Sequence, residues 1–256
     1  MPAPILFQVL HEDEQLLVVN KPAGLVCHPT KTDEYSSLIS RVRLYLGPGA
    51  QPQLVNRLDR ETSGVTLLAK LPQPARELRR LWEQRLVQKQ YAAIVHGHLQ
   101  TERGTIDAPL GRDEHSCVAI KDCVRPDGTP ASTGYEVVRR FTRDVLRGPG
   151  QGIVRRQGPT PRNFTLLRLV PQTGRKHQIR IHLAHIGHPL VGDKIYGGDE
   201  DLYLALVEDR LTVEQRDKLI LPHHALHASQ VRFFWRDREW EFTAEPEPWF
   251  TDFTGE

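Results

Sequence analysis

The stretch Val55-Asn56-Arg57-Leu58-Asp59-Arg60-Glu61-Thr62-Ser63-Gly64, followed by the apolar run Val65 to Leu68, presents one carboxylate from a tight polar turn between apolar segments. Arg57 and Arg60 place positive charge beside Asp59, Thr62 and Ser63 favour a local turn, and Gly64 permits backbone angles that other residues avoid. An acid in that setting is expected to stay ionised and nucleophilic. The structural alternative is that Asp59 only closes an Asx-turn before a strand, so other segments must decide.

Gly174-Arg175-Lys176-His177-Gln178-Ile179-Arg180-Ile181-His182-Leu183 follows a predicted strand and opens a predicted helix, a position that favours an anion. Arg175 from this segment can pair with Asp59, lowering the acid's pKa and fixing its direction. The alternative is an arginine bonded to backbone carbonyls at a sheet edge. His182, His185 and His188 invite a metal reading, but His177, His182 and His185 do not keep the i, i+4 spacing of the zinc helix and no Glu accompanies them. No metal is therefore assigned. Tyr91, in Lys89-Gln90-Tyr91-Ala92, begins a predicted strand; it is either a core-edge residue with a wet hydroxyl or a platform on which a base can stack.

These side chains need a scaffold, and 256 residues with 39% hydrophobic and 26% charged content are enough for a folded core in one large domain or two smaller lobes. Cys27, Cys117 and Cys123 form neither a disulfide framework nor a Cys-x-x-Cys pair, which fits a reducing cytoplasm. The N-terminus lacks a basic region followed by a long apolar stretch, and no apolar run is long enough to cross a bilayer as a helix. Net charge is only +2, yet arginines cluster at 79–85, 139–143, 155–162 and 175–180, so local basic surface and contact with nucleic acid are plausible beside the alternative of solvated faces.

Leu16 to Val19 reads as a buried strand ended by Asn20-Lys21-Pro22-Ala23-Gly24. Ser36 to Leu46 has helical spacing with a Ser start and a Gly-Pro-Gly stop, and Pro74 to Leu86 is a second amphipathic helix. Tyr91 to Val95, Tyr135 to Phe141, Phe164 to Val170 and Val231 to Trp235 have the β-branched and aromatic content of strands, and His177 to Ile186 suits a helix. Strands outnumber helices without regular alternation, which predicts an α+β protein and not a doubly wound parallel sheet. A Gly, Pro and Arg insert at 147–162 reads as a long hairpin tip, either inconsequential or an RNA-gripping arm, and a second insert at 201–222 carries one short helical pattern around Val213 to Leu219.

Together these segments resemble the RluA-like branch of the RNA pseudouridine synthases. Val19-Asn20-Lys21-Pro22-Ala23-Gly24-Leu25 through His28-Pro29 is similar to the family's first motif, Arg57 to Gly64 to its catalytic motif, Lys89-x-Tyr91 to its tyrosine motif and Gly174 to Arg180 to its arginine motif. Gly187 to Asp193 with Tyr196-Gly197, and Leu226-His227-Ala228, complete the order, so the resemblance runs from about Leu16 to Phe234. Family members usually carry His where Asn56 stands. No S4-like RNA-binding domain is expected ahead of the core, because the first motif begins almost at the N-terminus.

The resemblance implies the pseudouridine synthase fold: a mixed, mainly antiparallel sheet in two lobes flanked by helices and loops, with a central active-site cleft. It implies one catalytic domain over 1–256 with a core at about 12–245. The implied activity isomerises a uridine in rRNA or tRNA to pseudouridine by base flipping, without cofactor or metal, through Asp59 with Tyr91 and Arg175. Arg57 is implied to fill the place of the flipped nucleotide, Ile179 or Ile181 to wall the base, and Lys21 and Arg180 to contact RNA or substrate. Structured RNA is the implied partner of a cytoplasmic monomer with no membrane and no obligate protein partner. Two readings from other classes stand beside it: a catalytically inactive RNA-binding module, against which intact Asp59, Tyr91 and Arg175 speak, and a metal-dependent hydrolase, which lacks a recognisable ligand set.

Overall fold

Alternation of side chains along the first strands decides how half of this protein is layered. The computed structural model describes residues 7–29, 36–145 and 160–255. In chain order the elements are β1 (Gln8–Glu12), β2 (Leu16–Lys21), α1 (Leu38–Leu46), β3 (Gln53–Leu54), β4 (Ser63–Ala69), α2 (Pro72–Glu83) and β5 (Gln88–His96). There follow β6 (Arg103–Asp107), β7 (Leu110–Arg112), β8 (Asp122–Val124), β9 (Ser132–Val145), β10 (Thr160–Pro171) and α3 (Gln178–His185). The last are α4 (Asp201–Val207), α5 (Val213–Leu219), β11 (Leu226–Trp235), β12 (Arg238–Thr243) and α6 (Pro248–Thr254). The chain divides into two units, residues 1–91 with 227–251 and residues 92–226 with 252–256, and β5, β11 and α6 each run from one into the other.

In the first unit β2 pairs antiparallel with β1 and β4, β3 pairs antiparallel with β4, and β11 runs parallel to β4 and antiparallel to β12. All seven residues of β4 are buried, so the strand reads as a continuous apolar run because both of its faces are covered. Leu16 and Val18 of β2 with Val65, Leu67 and Ala69 of β4 face α2 through Ala75 and Leu78. Leu17, Val19 and Leu68 point the opposite way, toward Leu38, Ile39 and Val42 of α1. Each fully buried Leu or Val contributes about 1.5–3 kcal/mol, so a one-residue slip of β2 would exchange two cores at once.

Helix limits follow local chemistry. Ser37 caps α1 by accepting the Ser40 N–H, and Gly47, at φ +89°, ends it where a side chain would be strained. α2 starts two residues before the expected Pro74 because Pro72 stands in the first turn, where its missing N–H costs nothing.

In the second unit the long strand β9 pairs antiparallel with β6 and β10, and β7 pairs with β8. Most of the 147–162 insert lies outside the described residues; the strands on either side pair from Thr160 with Val145 onward, as a hairpin requires. The insert at 201–222 holds two helices where one was expected. Leu202 and Ala205 of α4 pack with Leu211 and Leu219, a pattern split over two turns too short to register alone, and a Thr212/Gln215 capping box starts α5. Among the described residues no helix is long and apolar enough to cross a membrane.

Four histidines, His28, His96, His182 and His227, have pKa values held below the ordinary imidazole value, in each case chiefly by burial. A base whose folded pKa lies below its unfolded value makes the unfolded chain bind more protons as the pH falls, so stability is lost on acidification. We expect the urea midpoint to decrease progressively from pH 7.5 to pH 5, above the range in which carboxylates titrate. A midpoint flat across that interval would contradict buried neutral imidazoles.

Candidate active site

Asp59 lies half-buried in the loop between β3 and β4, and that loop is held at both ends and from below. Upstream, the Val55 N–H donates to Leu67 O at 2.9 Å, the Asn56 Oδ1 accepts the Leu67 N–H at 2.8 Å, and the Asn56 amide donates to Val65 O at 3.3 Å. Asn56 thereby satisfies backbone groups left open where β3 stops after two residues, a local task its amide performs with both ends. Downstream, the Thr62 N–H closes the turn onto Asp59 O at 3.2 Å. Gly64 then sits at φ +115°, and a Cβ there would lie 2.3 Å from Ala228 O, so only glycine lets β4 approach β11.

From below, Cys27 Sγ lies 3.4 Å from both the N–H and the C=O of Leu58, the residue before Asp59, accepting from one and donating to the other. Burial pushes this thiol up. Lys21 is fully buried and its Nζ donates to the carbonyls of Leu25 at 2.7 Å, Pro22 at 2.9 Å and Arg60 at 3.2 Å. This corrects the expectation that Lys21 contacts RNA or substrate: its ammonium ties the first motif to the Asp59 loop and faces no solvent. Burial brings its pKa down to about 8, against the pull of Glu247 and Asp59.

Tyr91 packs against the cluster that holds Leu58, Leu68 and Ala228. Its phenol is pushed up to about 12 by burial and by the negative charge of Asp59, so at neutral pH the ring is uncharged and keeps its proton. Arg57 is exposed. The exposed imidazole of His28 is held low by burial and then by the charges of Arg57, Arg43 and Arg79, which marks a basic surface on this unit. Asp59, Lys21, Arg57 and Tyr91 thus all belong to the first unit.

Arg175, Ile179, Arg180 and Ile181 belong to the second. Arg175 is exposed in the turn before α3; its Nε donates to Pro130 O at 3.3 Å and its N–H donates to the Gln178 Oε1 at 3.0 Å. Gln178, which the sequence did not single out, holds that turn. Its buried Oε1 also accepts from Thr173 Oγ1 at 2.6 Å, while its Nε2 donates to Ser132 O and Thr133 Oγ1, each at 2.9 Å. The Thr133 hydroxyl donates a hydrogen bond to His182 Nδ1 at 2.9 Å, and His182 Nε2 donates to Ala108 O at 3.0 Å. His188 likewise bonds a backbone carbonyl, that of His96.

Two further expectations are corrected here. Arg180 is 5% exposed and grips Asp193 with Nε at 2.7 Å and Nη2 at 2.9 Å, so its charge is neutralised inside the unit and does not reach RNA. Burial alone would raise the Asp193 carboxyl, but Arg180 and the N–H of Tyr196 bring it far below the carboxylate range. Ile181 packs with Leu110, Ala131, Ile195 and Tyr196 as part of the core and does not wall a base; Ile179 is also buried.

The fold and these residues describe a class: an α+β protein that presents a carboxylate from a hydrogen-bonded loop on the same unit as an uncharged aromatic ring. Residues 15–185 match the family described as RNA pseudouridylate synthase. The ribosomal large subunit pseudouridine synthase D of Haemophilus ducreyi is 33% identical over 234 residues, covering 90% of this chain and 64% of that protein. Its counterpart in Nitrosomonas europaea is 34% identical over 230 residues, covering 89% and 58%. The solved structure of human RNA pseudouridylate synthase domain containing 1 superposes with a TM-score of 0.70 at 25% identity, covering 98% of this chain and 88% of that one. The chain belongs to the RNA pseudouridylate synthase family, and it spans about three-fifths of the length of these two bacterial relatives.

Removing one partner of a buried ion pair strands the other, at a cost of about 3–5 kcal/mol. Arg180→Met is expected to lower the urea unfolding free energy by that amount. Lys176→Met, which loses only the surface contact to Asp122 at 3.0 Å, should cost less than about 1 kcal/mol. Equal effects of the two substitutions would contradict the brace assigned to Arg180.

Proposed function

We propose that this chain converts a uridine in structured RNA to pseudouridine, with Asp59 acting at the sugar or the ring as nucleophile or base. What supports the reading is the match of residues 15–185 to the family together with an Asp59 turn braced by Lys21, Asn56 and Cys27 on the same unit as the half-buried Tyr91. The bond between the anomeric carbon and the ring nitrogen breaks, uracil turns in place, and the anomeric carbon joins a ring carbon. That carbon gives up its proton and the released nitrogen takes one, so the product is an isomer and no cofactor or metal is consumed.

Tyr91 serves by stacking and by a hydroxyl that stays protonated, since a phenol pushed up to about 12 is a poor proton acceptor at pH 7. Arg175 enters through the motif that carries it, as the cation that keeps Asp59 ionised during the reaction. Arg57, exposed on the same unit as Asp59, takes the place vacated by the flipped nucleotide and offsets an unstacking cost of a few kcal/mol. Ile179 is the remaining candidate for an apolar wall. The names of the bacterial relatives favour RNA of the large ribosomal subunit as substrate; the enzyme is proposed to act as a monomer in the cytoplasm.

Carbodiimide-adduct reverse-transcription stops on total RNA from a deletion strain, with and without the purified chain, test this directly. Asp59→Asn is expected to fold and bind RNA yet form no pseudouridine; full activity in that variant ends the proposal. Arg175→Met should lose turnover with little change in RNA affinity, and an unchanged rate would leave it only its bond to Pro130. Filter binding should weaken steeply as salt rises, because phosphate contacts release counterions. A flat response would contradict binding through the basic surface.

A further inference from the structure

Ser63 and His227 are both buried, at 1% and 0% exposure, and they face each other where β4 and β11 run parallel for only two paired residues, His227 with Ser63 and Ala228 with Gly64. Ser63 Oγ lies 2.8 Å from His227 Nδ1, and His227 Nε2 lies 2.9 Å from Ala244 O. A carbonyl only accepts, so Nε2 carries the ring proton. A neutral ring then offers a lone pair at Nδ1, and the Ser63 hydroxyl must donate to it. Burial, which holds the imidazole below its ordinary pKa, agrees with the neutral form, although Glu247 and Glu245 act in the other direction.

This hydrogen bond stands where β4 begins, directly after the Asp59 turn. The Asp59 turn closes through the Thr62 N–H, Ser63 follows at once, and Gly64 has no side chain with which to anchor itself. Asn56 fixes the upstream end of the loop through two bonds to β4; the downstream end has the antiparallel pairing of Gly64 with Lys21, the short parallel pairing with β11 and the Ser63 side chain. We propose that the bond from Ser63 to His227 is the downstream anchor of the Asp59 turn, which makes Ser63 and His227 positioning residues for the carboxylate. Through Ala244, which follows β12, the anchor ties the turn to the end of the β11–β12 pair.

The inference rests on Asp59 being the reactive carboxylate, and the test keeps the two apart. Ser63→Ala removes the donor, and His227→Phe removes the acceptor at Nδ1 together with the donor to Ala244 O. Wild type, both single variants and the double variant are compared for single-turnover pseudouridine formation on unmodified large-subunit RNA, with RNA affinity measured by filter binding and the rate expressed per folded molecule. Each single variant is expected to lower the rate about tenfold or more, as for a carboxylate misplaced by a fraction of an ångström, with affinity within about twofold. The double variant should be no slower than the worse single one.

A Ser63→Ala rate within about twofold of wild type overturns the proposal, as do single losses that multiply in the double variant. Imidazole ¹⁵N resonances supply a readout that needs no turnover: wild-type His227 should show the Nε2-protonated neutral tautomer at pH 7, and an Nδ1-protonated ring overturns the bond. A wild-type chain inactive on every RNA would sink the proposed function instead, leaving the tautomer to decide the hydrogen bond.

Discussion

The backbone of the loop that carries Asp59 is fixed to the end of β2 by a buried ammonium. Lys21 reaches three carbonyls from two motifs and has no other visible purpose, since it is fully buried. Keeping a cation out of water is costly, which is why its pKa falls, and the cost is tolerable because carbonyl oxygens and nearby negative charge replace the lost water. Lys21 pairs with Gly64 where β2 meets β4, so its ammonium sits at the strand ends that the Asn56 clamp and the Gly64 approach also use.

The second unit applies the same rule with different groups. The turn carrying Arg175 is short of backbone partners, and a single buried amide, Gln178, makes four hydrogen bonds to close it. Immediately after it, Arg180 and Asp193 lock α3 to the segment that leads into Tyr196, whose ring lies 5.0 Å beneath the guanidinium. A fully satisfied polar network specifies one arrangement more sharply than apolar packing does, because any shift leaves a donor or acceptor without a partner. Arg175 itself can therefore remain exposed while the backbone beside it is fixed.

The histidines follow from this rule as well. His182, His188 and His227 each bond a backbone carbonyl, and two of them also accept from a hydroxyl, which uses both ring nitrogens within the fold. Each meets the need of a backbone carbonyl for a donor that carries no charge.

Much was legible in the sequence because it depended on local rules. A continuous apolar run closed by a proline and glycine turn placed Leu16 to Val19 in a strand, a Ser start at Ser36, one residue before the observed cap, and a Gly-Pro-Gly stop bounded the first helix, and the order of motifs around Asp59, Tyr91 and Arg175 pointed to the family. What the sequence could not assign was occupation. Lys21, Arg180 and Ile181 sit in the right motifs, yet one braces carbonyls, one is spent on a buried aspartate and one is core, because a side chain's role depends on which distant groups surround it. Gln178, His227 and the amide of Asn56 show the converse: polar residues of unremarkable type became necessary only when tertiary packing removed water from the carbonyls, hydroxyls and amides they now satisfy.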